Sequence, residues 1–529
     1  MYKGRTSSRS PVIRIRIRKA LAAPVCRHYV IIPPVFRSPY KQKNMQRYYK
    51  TASIIHRYFI ALCILCIAGI TGCKDFVQVD PPITGITKGS AYDDDKSALA
   101  VLTGIYSKVI SRGGIASGER SIGYYMAQYA DELQNWSPQN TSQPFYVNAL
   151  QNTGLVSAIW NSLYQQTYVC NAAIEGITAA GALSADVKNQ TLGEARLMRA
   201  FLYLQLVNLF GDVPMPLSTD YNANNTLTRS PQAKVYEQIV QDLQTAQQLL
   251  SDDYKNGNGK TTTDKGRPNK QAAAALLARV YLYLKDWQHA AEQADAVLGD
   301  SHYALAADPV DAFPPNSQEA IWQMAPISEG AGISLGDPQV YLLTPGAPPD
   351  VFRPVSLSTR LLNAFETGDK RFAAWVGVDD VAATGTVPTH TYYYPKKYKL
   401  PTGPGEYCMI IRLAEVLLIR AEARAQLNNL TGAKADLDAI RTRAGLGGTT
   451  AATKEALLDA ILHERQVELF TEWGHRWFDL KRAGKADAIM SVVTPEKGGV
   501  WSSNWLLWPI PQSEILLNDH LSQNPGYPN

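Results

Sequence analysis

Cysteine is scarce in the body of this chain. After Cys73 only Cys170 and Cys408 remain. That excludes a disulfide framework and a cysteine-based metal cluster. Each reads as a small buried hydrophobe, with a single bridge between them left open. Long apolar runs are missing too. The run at residues 60–70, IALCILCIAGI, has eleven members, whereas a membrane-spanning helix needs about 20. Acidic residues are absent from the first 72 positions, which carry fourteen Lys and Arg. Without those fourteen, 38 basic residues face 47 acidic ones, a net of −9 in place of the overall +5. The folded part is therefore acidic, which excludes nucleic acid as its partner, because phosphate binding needs a basic face.

Catalytic signatures are also lacking. HERQVEL (463–469) begins like a zinc-protease helix, but Val467 stands where the second histidine is required. GNGKTTT (257–263) mimics a phosphate loop, but Tyr254 replaces its first glycine. No Gly-x-Ser-x-Gly elbow occurs. Neither a metal nor a cofactor is expected. Glu194, Glu415, Glu422, Glu464 and Glu468 lie on apolar-faced helices near arginines and read as structural ion pairs or caps. Arg476 and Asp479 read likewise, as halves of buried pairs.

What is present begins with the leader. Lys50, His56 and Arg57 precede the apolar run, and Thr71-Gly72 supply the small residues of a secretory cleavage site. Met45 suits the start of such a signal, so residues 1–44 read as a non-native upstream extension and 45–72 as the signal peptide. ITGC (70–73) resembles a lipoprotein signal, which is cut before a cysteine that is then acylated. Cys73 is the expected lipidation site and residues 73–90 the lipidated tether. More than one acyl chain makes such an anchor stable.

Beyond the tether the pattern is mostly α. YDDDKSALAVLTGIYSKVI (92–110) starts a helix whose three aspartates suit its positive end; their adjacency does not match a calcium loop. A long helix over 192–214 ends at Gly211 and Pro214. Residues 271–298 read as two Ala-rich helices joined by Lys-Asp-Trp, with Tyr281, Trp287 and Ala290–Ala291 resembling a tetratricopeptide hairpin. Residues 412–446 repeat the plan, and 454–482 form another pair. No period is exact, so the expectation is scattered helical hairpins, not a solenoid. Long irregular stretches at 111–155, 215–231, 252–268 and 301–407 interrupt them, and loops of that length are often functional. Residues 389–400 suit a strand, and the C-terminus is extended and turn-rich. The expected fold is a scaffold of tetratricopeptide-like hairpins with long irregular loops and a few short strands.

Five ordered segments carry a resemblance: GEARLMRAFLYLQLVNLFGDVP (193–214), RLAEVLLIRAEA (412–423), IRTRAGL (440–446), ERQVELFTEWGHRWFDLKR (464–482) and LWPIPQSEI with NPGY (507–527). Together they resemble the SusD/RagB family of outer-membrane lipoproteins. One departure is TEWGHRW, where the family commonly has Glu-Gly before Arg-Trp; His475 reads as a packing change. The resemblance implies one domain over 91–529, with an N-terminal part over about 91–230 and a C-terminal part over about 270–529. It implies a surface-facing, lipid-anchored protein that binds glycan, or in some members peptide, and passes it to a SusC-like TonB-dependent outer-membrane receptor without catalysis. A surface glycosidase and a purely structural adaptor of the transporter are the competing readings.

The family's motifs lie on the scaffold, so ligand residues must be argued from chemistry. A sugar offers an apolar face that stacks on an aromatic ring, and hydroxyls that need amide or carboxylate partners. Trp136 is the expected plate, with Asp131, Asn135, Gln139, Phe145 and Tyr146 near it in sequence. Tyr341, Phe352 and Trp375 are the candidates in the second long loop. Trp501, Trp505 and Trp508 are expected to pack the closing segment.

Overall fold

The computed structural model describes residues 91–528, except 151–153, 330–331, 334, 384–387, 401 and 404. Cys73, the signal and the tether therefore lie outside the described residues.

Small side chains and capped ends build the helical scaffold. Helix α1 (Asp95–Ile110) is capped by Asp94, whose carboxylate accepts the Ser97 N–H. The aspartate run thus serves as a cap. Helix α2 (Ile122–Tyr129) is buried along its whole length. Then follow α3 (Gly154–Ala179), α4 (Ala185–Phe210) and α5 (Gln232–Leu249). Gly211 ends α4 at φ 77°, a conformation that glycine adopts without penalty. Helices α6 (Lys270–Leu284) and α7 (Trp287–Leu298) form the first Ala-rich hairpin. Asn269 caps α6 and Asp286 caps α7. Helices α8 (Leu413–Gln426) and α9 (Leu430–Arg443) form the second, with Asn429 capping α9. Both hairpin turns hold a left-handed residue, Lys285 at φ 60° and Asn428 at φ 63°. Helices α10 (Lys454–Glu468) and α11 (His475–Arg482) follow.

These hairpins are not scattered. Each helix from α3 to α9 packs on the next in sequence order. The row continues from α7 to α8 although more than a hundred residues separate them. The reason is the small residues at the seams: Ala273, Ala275, Ala278, Ala290, Ala294, Ala414 and Ala421 are completely buried. Alanine there keeps helix propensity high and lets neighbouring backbones approach.

Short strands organise the intervening chain. Strand β1 (Leu133–Asn135) pairs antiparallel with β3 (Val355–Leu357), in the register Leu133↔Leu357. Strand β2 (Ala320–Met324) pairs with β6 (Cys408–Arg412), which leads straight into α8. Strand β4 (Val376–Val381) pairs with β5 (His390–Pro395). Strand β3 also lies against β5, so β1, β3, β5 and β4 form one loop-bearing lobe. Cys170 and Cys408 are both buried and unbridged.

The segment 301–407 is tied to the scaffold by buried charge. Arg412 bonds Glu319 at 2.6 Å, Glu468 at 2.5 Å and Glu472 at 2.9 Å. Arg443 bonds Glu319 and Glu468. Arg371 bonds Asp369, Glu464 and Glu468. Lys397 donates to Glu472 and to the carbonyls of Glu468 and Phe470. Burial alone would raise the Glu472 carboxyl, but Arg412 and Lys397 overcome it and hold Glu472 at about 2. Burial works against the Lys397 ammonium and brings it down to about 8. A single unpaired charge here would be expensive, so the network fixes one arrangement of the loops.

Candidate functional site

The remaining acids singled out in sequence are likewise ion-paired. Glu194 meets Arg267, Glu415 meets Arg279, and Glu422 meets Arg482. Asp479 meets Arg465 at 2.7 Å. His475 is buried 3.6 Å from Glu415, and burial lowers its imidazole to about 4, so it packs as a neutral ring. Among the described residues no His, Cys, Asp and Glu group of three or more is arranged to hold a metal.

Five proposed ligand residues turn out to be interior ones: Trp375, Tyr341, Tyr146, Asp131 and Asn135. Trp375 is 1% exposed; its Nε1 donates to the Pro309 carbonyl at 2.8 Å, and its ring meets Phe313 edge-on. It supports the loop and offers no face to a ligand. Tyr341 is buried against Tyr124. Tyr146 is buried beneath the Lys497 ammonium. Asp131 is buried in a two-pronged pair with Arg476, both contacts at 2.7 Å, which uses its carboxylate oxygens. Phe145, near Trp136 in sequence, stacks on Tyr125 inside the core. Asn135 is also buried; it donates to Gln128 and accepts the Ser137 N–H, so it shapes the loop that carries Trp136.

Trp136 and Phe352 are different. Trp136 is 40% exposed and Phe352 79% exposed. The Trp136 backbone N–H extends the β1–β3 ladder by donating to Pro354 at 2.8 Å. Its Nε1 donates to the Ser356 hydroxyl at 2.8 Å. His390 and Tyr392 meet the indole edge-on, with centroids 5.1 and 5.2 Å away. The ring is thus fixed before any ligand arrives, which lowers the entropic cost of binding. Asn140 reaches across to the Val351 carbonyl at 2.9 Å and joins the Trp136 loop to the Phe352 loop. Phe352 sits in a turn closed by Asp350, which accepts the N–H groups of Phe352 and Arg353. Gln139 and Thr141 are exposed at the rim. The result is an open aromatic surface edged by amides and hydroxyls. His390, Tyr392 and Ser356 were not singled out from sequence. The alternation in HTYYYP marks a strand, but nothing local says that it lies beside a tryptophan some 250 residues earlier.

Comparison with known proteins places the chain. Residues 215–527 match the model described as SusD family, and residues 100–282 match one described as "Starch-binding associating with outer membrane". The chain is 27% identical over 428 residues to SusD-like protein P2 of Formosa agariphila, covering 71% of this chain and 81% of that protein. A SusD-like protein of Bacteroides fragilis has the same fold, with TM-score 0.70 and 20% identity, covering 85% of this chain and all of that one. A structure described as a laminarin binding SusD-like protein superposes with TM-score 0.67 and 24% identity, covering 82% of this chain and all of that one. A family match spanning more than half the chain, over a row of helical hairpins with short strands, establishes that this protein belongs to the SusD/RagB family of outer-membrane nutrient-binding proteins.

Proposed function

We propose that the chain is a cell-surface lipoprotein, anchored through Cys73, that binds glycan on the Trp136–Phe352 surface and delivers it to a SusC-like TonB-dependent transporter without transforming it. The observation that carries the binding role is Trp136 itself: a large ring, 40% exposed, yet held by a hydrogen bond and two edge contacts. A ring used only for packing has no reason to be both fixed and open. A pyranose can stack its C–H face on such a ring and turn its hydroxyls to the surrounding amides. The laminarin-binding protein of the same fold and the starch-binding description of the matching model support carbohydrate as the ligand class. The acids picked out on the helices are held in arginine pairs, which supports binding over hydrolysis. The row of helical hairpins is the part we assign to the transporter.

Titration of the mature chain against a polysaccharide panel tests the binding role. Saturable binding with no new reducing ends is expected, together with at least a tenfold loss in Trp136→Ala, about 1.4 kcal/mol. Turnover abolished by one carboxylate substitution would replace this reading with a glycosidase. Absence of any polysaccharide binding would favour a structural adaptor. For the anchor, Cys73→Ala is expected to release the protein from the membrane; unchanged attachment would refute it.

A further inference from the structure

Five large apolar side chains stay exposed around the loop that follows α4. Segment 214–219 is laid along one stripe of α3. Tyr164 donates to the Pro214 carbonyl at 2.7 Å, Asn171 donates to the Pro216 carbonyl at 2.8 Å, and Glu175 accepts the Thr219 N–H and hydroxyl. Tyr168 stands on the same stripe, between those contacts, and is exposed. Leu217 is exposed beside it, and Tyr221, 73% exposed, opens the short helix Tyr221–Asn224. Asn224 ties that helix to the Ser218 carbonyl at 2.8 Å. Asn518 donates to the Leu227 carbonyl at 3.0 Å, which brings the end of helix Gln512–Leu517 to the same loop. Leu516 and Leu517 are each 78% exposed there. Residues 214–228 hold one charge, Asp220, and its carboxylate caps the short helix. Exposed apolar residues scattered singly need no explanation, but a cluster marks a contact surface.

The described chain begins beside this face. Ala91 is buried, and Tyr92 donates to the Ala172 carbonyl at 3.3 Å. Ala172 lies four residues along α3 from Tyr168, about 6 Å. The Tyr92 ring rests on Gly176, where a Cβ would come within 2.1 Å of it. The chain before residue 91 therefore joins the domain at α3, next to the exposed cluster. That preceding stretch, KDFVQVDPPITGITKGS (74–90), carries Phe76, Val77, Val79, Ile83 and Ile86. A linker that only spans a distance is small, polar or charged, and gains nothing from large apolar side chains.

We propose that residues 76–86 pack on the face formed by Tyr168, Leu217, Tyr221, Leu516 and Leu517. Ile86 lies six residues before Tyr92 and Phe76 sixteen, so extended chain reaches about 20 and 55 Å from α3. Covalent attachment keeps segment and face at high effective concentration, so a modest apolar contact suffices. A packed segment leaves only Lys74 and Asp75 between Cys73 and the domain. The domain is then held close to residue 73 and not at the end of a leash of about 60 Å. The inference depends neither on acylation of Cys73 nor on where glycan binds.

The experiment uses the chain from residue 73 with Cys73→Ser. Thermolysin cuts ahead of Phe, Val and Ile, and a packed segment is cut only in its released fraction. Cutting within residues 76–86, followed by mass spectrometry, is expected to be at least tenfold slower than in a free peptide of residues 74–90. The double variants Tyr168→Ser/Tyr221→Ser and Leu516→Ser/Leu517→Ser leave every cut site in place. Each is expected to bring the rate to within about twofold of the peptide's, with an unfolding midpoint close to wild type. A wild-type chain cut as fast as the peptide overturns the inference. So does slow cutting that survives both double variants, because the segment would then be held elsewhere. A segment cut at the peptide rate, in a chain that dimerises or binds phosphatidylethanolamine vesicles through Tyr221, overturns it as well and gives the face to that occupant.

Discussion

Two parts of this molecule use side chains in opposite ways. Around Arg412 the chain buries eight or more charges and pairs them all; around Trp136 it exposes large rings and keeps charge sparse. In the first region the polar groups are satisfied internally, and the nearby sequence motifs follow from that demand. ERQVEL places Glu464 for Arg371, Glu468 for Arg412 on β6 and Arg443 on α9, and Arg465 for Asp479 on α11. In the second region the polar groups are also bonded internally, and it is the rings of Trp136 and Phe352 that stay exposed. The first region carries the motifs of the family, and the second is the surface we propose for this member's ligand.

Substitutions can break this contrast, beginning with the largest effect. Arg412→Ala strips partners from Glu319, Glu468 and Glu472 at once and leaves carboxylates buried without compensation. A loss of about 3–5 kcal/mol is expected by denaturant unfolding, and a loss under about 1 kcal/mol would show that the network is dispensable. Trp375→Ala removes a ring from the core and is expected to cost about 3–5 kcal/mol. The protein that stays folded is expected to keep its glycan affinity, since this ring faces no ligand.

Acid should act on the buried ion pairs. Glu472 and Asp479 are each held at about 2 against ordinary values of 4.5 and 3.8, because arginines outweigh the burial that opposes ionisation. Both ionise more readily folded than unfolded. Their stabilisation is complete above about pH 4.5 and is lost as pH falls toward about 2, which denaturant midpoints taken across that range would show. Glu132 runs the other way. Burial, aided by the Asp131 charge, raises its carboxyl to about 8. Its folded form holds the proton, so stability declines as pH rises from about 4.5 through 8. Glu132→Gln, which mimics the protonated group, is expected to flatten the alkaline side of the profile; an unchanged slope would sink that assignment.

The smallest stability effects belong to the aromatic surface. Trp136→Ala gives up one part-buried hydrogen bond to Ser356 and two edge contacts, at about 0.5–1.5 kcal/mol per ring pair. Phe352→Ala is expected to shift stability by no more than about 0.5 kcal/mol. Both variants are expected to cost less stability and more affinity than Trp375→Ala.

The scaffold was largely legible because its signals are local. Asp94 caps α1 and Gly211 ends α4, as their positions in the sequence suggest, and the alanines of 272–278 mark a close helix contact. Helix α2 was not legible. Every residue in IGYYMAQY is buried, so no polar face marks the helical period. The continuous row of helices was missed for a different reason: the seam between α7 and α8 joins segments more than a hundred residues apart. The proposed ligand surface was least legible. Trp136, Trp375, Tyr341 and Phe352 all read as loop aromatics beside turn residues. Burial separates them, and burial is decided by distant partners: Pro309 and Phe313 close over Trp375, while His390 and Tyr392 only brace the edge of Trp136.

The contrast between those two tryptophans gives the most direct test. Trp136→Ala and Trp375→Ala should be titrated against the same polysaccharide, with the folded fraction of each measured in parallel. The account predicts that Trp136→Ala is well folded and loses at least tenfold in affinity, while Trp375→Ala is much less stable and binds normally wherever it is folded. Full affinity in Trp136→Ala would contradict it.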